Sequence, residues 1–161
     1  MIELKSHLEK LGYSDVLPYI NSGNVIVKST KDPAVIKNEI EQALLDNFTF
    51  DSKLIKVLVL SHSQLQAVIT NKPSGFGDQP ELYHSDAIFL IDYSVEDAIK
   101  VFDPRAGIDK VWPGSGVIYS QRLSAERTKS RLGKIIGTKP YASMTIRSWN
   151  TVTKLLHLTD K

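Results

Sequence analysis

Cysteine is absent from all 161 residues. That absence excludes disulfides and every cysteine-based metal site. Long apolar runs are absent as well: no stretch approaches the roughly 20 residues that cross a bilayer. The opening MIELKSHLEK is a charged amphipathic pattern, so no signal peptide is read there. With no address to send it elsewhere, the chain is expected in the cytoplasm, without a membrane partner. Histidines are few and scattered singly, at His7, His62, His84 and His157. None has a metal-ligand partner at helical spacing, so no metal and no cofactor are expected. There is no Walker motif and no nucleophile elbow; the glycines around Ser115 are too close together and sit in an expected hairpin.

What is present is an ordinary globular composition with an uneven charge. Hydrophobic residues make up 42% and charged residues 24%, enough for one substantial core or two small ones. The net charge of +2 hides an asymmetry. From Ser120 to the end there are nine Lys or Arg against two acids, a net of +7; the preceding residues carry 11 basic and 16 acidic side chains, a net of −5. A basic end on an acidic body points to an anionic partner. The alternative is a solvated helix face balancing the body's charge.

Leu4, Leu8 and Leu11 mark a first helix ended by Gly12. Val16–Ile20 and Asn24–Lys28 read as a hairpin around Asn21-Ser22-Gly23. Asp32-Pro33 starts a helix with an N-cap and a proline, and Ile36, Ile40, Ala43 and Leu44 form its stripe. Leu54–Leu60 is apolar except for Lys56 and predicts a strand covered on both faces. Ser61 caps a short helix with Leu65, Val68 and Ile69. Residues 71–83, with two prolines and two glycines, predict a loop between two halves.

Asp86–Ile91 predicts a strand, and Ser94 caps a helix with Val95, Ala98, Ile99 and Phe102. Ile108–Trp112 and Val117–Tyr119 form a second hairpin. A basic helix follows, with Ala125, Thr128, Leu132, Ile135 and Ile136 on one side and Arg127, Ser130, Arg131 and Lys134 opposite. Ser124 is its N-cap and Gly137 its end. A short strand, Ser143–Arg147, and a last helix from Trp149, capped by Ser148, complete the chain.

The fold class is therefore α+β: two ferredoxin-like, split βαβ halves with antiparallel sheets and an extra C-terminal helix. The halves span residues 1–60 and 84–161, with 61–83 linking them. The first half lacks its opening strand, which in this topology lies between two others. We expect either that the chain is shortened at its start or that a partner adds a strand.

Tyr19-Ile20-Asn21-Ser22-Gly23-Asn24-Val25, then Lys129-Ser130, Thr145 and Trp149-Asn150-Thr151-Val152 with Lys154-Leu155 resemble a bacterial family, domain of unknown function 1697. The resemblance covers nearly the whole chain. It implies a similar paired fold and, ahead of Met1, about 20–25 further residues with a strand and a glycine-containing loop. Ser148 stands where that family usually has Asn; both are good N-caps. No activity comes with the resemblance.

The candidate binding set is Lys129, Ser130, Arg147, Asn150, Thr151 and Lys154. Arg147 precedes the free N–H groups of the last helix, an arrangement that suits phosphate or carboxylate; Asn150 and Thr151 serving only the helix start is the alternative. Trp112 reads as hairpin packing ahead of ring stacking. His84 near Asp86 has the composition of a general base, but a satisfied or exposed histidine is the plainer reading. Asn21–Asn24 reads as a turn ahead of an anion nest. The expected strands lack the aromatics of an RNA-reading sheet, leaving phosphate-only contact open. The expected function is binding of an anionic small molecule or nucleic acid backbone by a monomer or weak dimer. An enzyme on a small anionic substrate and a protein-interaction domain are the alternatives, and no catalytic residue is named.

Overall fold

The computed structural model describes residues 1–51 and 55–160. They form two compact units, Met1–Ser61 with the last residues from His157, and His62–Leu156. No helix among the described residues is long and apolar enough to cross a membrane.

The first unit contains α1 (Ile2–Lys10), β1 (Ser14–Tyr19), β2 (Asn24–Lys28) and α2 (Pro33–Asn47). β1 and β2 form an antiparallel hairpin with Leu17 opposite Ile26 and Tyr19 opposite Asn24. Asp32 caps α2 as its sequence demands, its carboxylate accepting the Ala34 N–H at 2.8 Å. Leu8, Tyr13, Val16 and Ile36 form the core, with Val59 packed against it. The strand expected over 54–60 is not there: Leu54 lies outside the described residues, and 55–60 form no strand. Val57 instead donates its N–H to the Glu41 carboxylate at 2.8 Å. An apolar run asks for burial, but a strand also needs a ladder, and among the described residues the sheet of this unit has two members, β1 and β2.

The second unit holds α3 (His62–Thr70), β3 (Tyr83–Leu90), α4 (Val95–Ala98), β4 (Asp109–Pro113), β5 (Val117–Leu123), β6 (Met144–Ser148) and α5 (Trp149–Thr159), whose end runs into the first unit. Its antiparallel sheet has the order β4-β5-β3-β6, so the last strand lies beside the first. Period-two alternation divides the side chains. His84, Asp86, Ile88 and Leu90 share one face with Arg122, Ser120 and Ile118 of β5, and with Ser148, Ile146 and Met144 of β6. Ile88, Leu90, Ala98 and Ile118 form the core on that face.

On the opposite face the ring of Phe76, fully buried, sits edge-on to Trp112, Tyr119 and Trp149, with centroids 5.9, 5.2 and 5.0 Å away. Tyr119 donates its hydroxyl to the Val68 carbonyl at 2.6 Å. The stretch expected to link two halves thus contributes the centre of this core. Trp112 packs, as the plainer reading has it.

The basic helix expected over 124–136 does not form. Two 3-10 turns, Ser124–Lys129 and Leu132–Ile135, replace it. Leu132 and Ile135 are buried, but Ala125 and Thr128 are exposed and Ile136 is 67% exposed. The cause lies 22 residues upstream. The buried Asp109 carboxylate accepts the N–H of Arg131 at 2.8 Å and of Arg105 at 3.0 Å, both on Oδ2. Ser130 Oγ, meanwhile, accepts the Leu132 N–H at 3.3 Å. These bonds replace the i→i−4 bonds a helix would make there.

Burial pushes the Asp109 carboxyl up, but the N–H groups of Arg131 and Arg105, the Ser130 hydroxyl and the Arg105 charge together hold it below the ordinary aspartate value. Its contribution to stability is therefore present above the ordinary value of 3.8 and is lost as pH falls through the lowered one. Asp109→Ala should cost about 2–3 kcal/mol, since two N–H groups lose a charged acceptor. Chemical denaturation at pH 7 measures it, and the loss should shrink in acid.

Candidate functional site

A cavity of about 140 Å³ opens on the sheet face that carries Ile88. Its walls are Ile88, Phe102, Leu132, Ile135, Ile136 and Ile146, with Asp86, Ser120 and Arg122 as its charged or hydroxyl lining from the sheet. Two strands turn polar at the same end. β3 runs His84, Asp86, then Ile88, while β5 pairs Arg122, Ser120 and Ile118 against them in register. The broken segment 124–143 roofs the apolar part with Leu132 and Ile135, so the loss of the expected helix is what shapes the cavity.

The electrostatics of the polar end are unbalanced. Arg122 Nε is buried and meets no hydrogen-bond partner among the described residues, which is costly for a charged donor. Burial raises the Asp86 carboxyl above its ordinary value; the charges of His84 and Arg122 and the His84 hydrogen bond pull it down without cancelling that rise. His84 Nε2 lies 3.0 Å from Asp86 Oδ1, and the His84 side chain is 43% exposed. The histidine noted in the sequence is thus both partly exposed and partnered. Among the described residues no group of three His, Asp or Glu is placed to hold a metal ion.

The residues predicted from sequence divide into two groups. Lys129 pairs with Glu126 at 2.7 Å, and Ser130 bonds the Asp109 carboxylate, so both belong to the β4 side of the sheet. Arg147 lies in β6, the other edge, roughly 14 Å away at ordinary strand spacing. It pairs in register with Ala87, and so projects from the face opposite Asp86. Its Nη1 donates to Thr145 Oγ1 and to the Ile146 carbonyl, each at 2.9 Å. Burial holds its guanidinium below the ordinary arginine value.

Thr151 serves the cap: Ser148 Oγ accepts its N–H at 3.4 Å and lies 2.9 Å from its hydroxyl. Asn150 and Lys154 are exposed on the first turns of α5. Arg147, Asn150, Thr151 and Lys154 therefore gather at the start of one helix, while Lys129 and Ser130 do not join them. In the first unit the Asn21–Asn24 turn uses its own side chains, Asn24 Nδ2 donating to Ser22 Oγ at 2.7 Å.

Sequence reading missed Asp86, Ser120 and Arg122 as a group. The signal was available: YHSDAIFL and VIYSQRL each place polar residues two apart at one end of an apolar strand. What was missing was the register that sets the two polar ends side by side.

The family model described as a protein of unknown function, DUF1697, matches residues 1–119. A solved structure, a conserved bacterial protein of Streptococcus pneumoniae, superposes with a TM-score of 0.82 at 23% identity, covering 98% of this chain and 87% of that one. No curated protein matches.

Proposed function

We propose that this chain, which belongs to the DUF1697 family of unknown function, binds a small organic anion in the cavity of its second unit. The observation that carries this is the buried, partnerless Nε of Arg122 in the lining of a cavity that is otherwise mostly apolar. A guanidinium presents parallel donors to a carboxylate or phosphate, and such charge-assisted bonds strengthen out of water. The volume fits a molecule of roughly benzene size, with its apolar part against Ile88, Phe102, Ile135 and Ile146. On its strand order we read the second unit as a ferredoxin-like module, and the protein as a cytoplasmic monomer or weak dimer.

The test is titration with inorganic phosphate and with short monocarboxylates, followed by amide chemical shifts. Shifts should centre on residues 86–88, 120–122 and 132–136. Arg122→Gln should weaken binding at least tenfold, about 1.4 kcal/mol, with the thermal midpoint showing that the variant is folded. Unchanged affinity in a folded Arg122→Gln overturns the proposal.

A second reading, contact with a nucleic acid backbone, is favoured by the gathering of Arg147, Asn150, Thr151 and Lys154 beside the N-terminus of α5, with Lys129 and Ser130 at a distance. It differs in its salt dependence. Affinity for single-stranded DNA would fall steeply between 50 and 200 mM salt, and Arg147→Ala would flatten that slope; neither variation touches the cavity.

A further inference from the structure

The polar end of the cavity holds one cation and one acid, Arg122 and Asp86. A simple anion placed on Arg122 would be set against a carboxylate on the adjacent strand. Asp86 has His84 on Oδ1 at 3.0 Å, and this together with the Arg122 field does not offset its burial. Arg122 Nε thus lacks an acceptor, and the His84 contact of Asp86 is made on Oδ1. Both residues sit on one sheet face, on the paired strands β3 and β5, with Ser120 directly across from Asp86. Beyond them the lining is aliphatic and aromatic, and Ile136 and Ile146 are exposed at 67% and 36%.

We propose that the ligand is a zwitterion: a free α-amino acid with a short aliphatic side chain, its carboxylate on Arg122, its ammonium on Asp86, and its side chain among Ile88, Phe102 and Ile135. This rests on the anion-binding reading of the same cavity. An α-amino acid separates its two charges by two carbons, so neighbouring side chains on adjacent strands, whose Cβ atoms lie roughly 5 Å apart or one diagonal step further, are able to hold both. Ionised Asp86 is required, and the charged groups bearing on it are His84 and Arg122. A ligand ammonium would add a second cation beside the acid and so favour its ionised form.

The experiment compares L-valine, L-isoleucine and L-leucine with 3-methylbutanoate, which is valine without its amino group, and with isobutylamine, all by calorimetry or amide shifts on the intact chain. We expect the best amino acid to bind at least tenfold more tightly than 3-methylbutanoate. Asp86→Asn should bring that ratio close to one, with the carboxylate still binding, and Arg122→Gln should remove both. If 3-methylbutanoate binds as tightly as the amino acids, the zwitterion is overturned while anion binding through Arg122 stands. If the amino acids retain their advantage in a folded Asp86→Asn, the assignment of the ammonium to Asp86 is overturned. If isobutylamine binds the parent as tightly as the amino acids and a folded Arg122→Gln leaves both unchanged, or if none of these compounds binds the parent, both readings fall together.

Discussion

Replacing Phe76 with alanine is expected to lower the stability of the second unit by about 3–5 kcal/mol. The side chain has no exposed surface, and three other rings meet it edge-on. Truncation removes the transfer free energy of a phenyl ring. It also leaves a cavity whose walls, Trp112, Tyr119 and Trp149, are rigid and collapse poorly. Tyr119 is tethered as well, through its hydroxyl to the Val68 carbonyl. The protein's two tryptophans are both in this cluster, so their fluorescence reports unfolding of the unit under study. Urea titration of both proteins gives the difference directly. A shift below about 1 kcal/mol would mean that the cluster rearranges around the gap, contrary to close packing.

Gly77→Val should be nearly as damaging, for a different reason. Gly77 has φ of +76°, and a Cβ built there falls 2.4 Å from Trp149 Cδ1. A left-handed backbone costs an L-residue about 1–2 kcal/mol, and overpacking a filled core about 1–3 more. The expected loss is about 2–5 kcal/mol, larger for valine than alanine because β-branching adds bulk beside a buried indole. The two variants separate the contributions: Gly77→Ala meets the backbone and Cβ penalty alone. If Gly77→Ala melts within a degree or two of the parent, the glycine is conformationally optional and this account fails.

Both positions lie in the stretch 71–83 that reads, in sequence, as a connecting loop. Its prolines and glycines break regular structure, and residues 71–82 form turns and irregular chain. What composition does not reveal is that a chain without secondary structure can still bury an aromatic ring. Lys72 holds this loop, its ammonium donating to the Phe76 carbonyl and to Asp78 Oδ1, each at 2.6 Å. Nothing in the order of residues says that Phe76 turns inward while Leu82 stays 50% exposed.

The same contrast runs through the rest of the molecule. Asp32, Ser94 and Ser148 were legible as caps because a cap's partner lies two or three residues along the chain. Asp97 N–H, for example, reaches Ser94 Oγ at 3.1 Å. The hairpins were legible because alternation and turn residues act over a similarly short range. The final helix was legible because Trp149 and Val152 recur at its period, and both are buried.

The course of residues 124–143 and the polar end of the cavity were not legible. An acid at position 109 takes the N–H of residue 131, so a segment with a sound helical stripe is held in short 3-10 turns. Arg122 and Asp86 are neighbours because β5 pairs with β3 at that register, and Arg147 is carried to the opposite face by its place in β6. Local hydrogen bonds span a few residues, and a sequence states them openly. Burial of a charge, and the choice of its neighbours, depend on strands brought together from 20 to 60 residues apart, which the chain order leaves open until the sheet has formed.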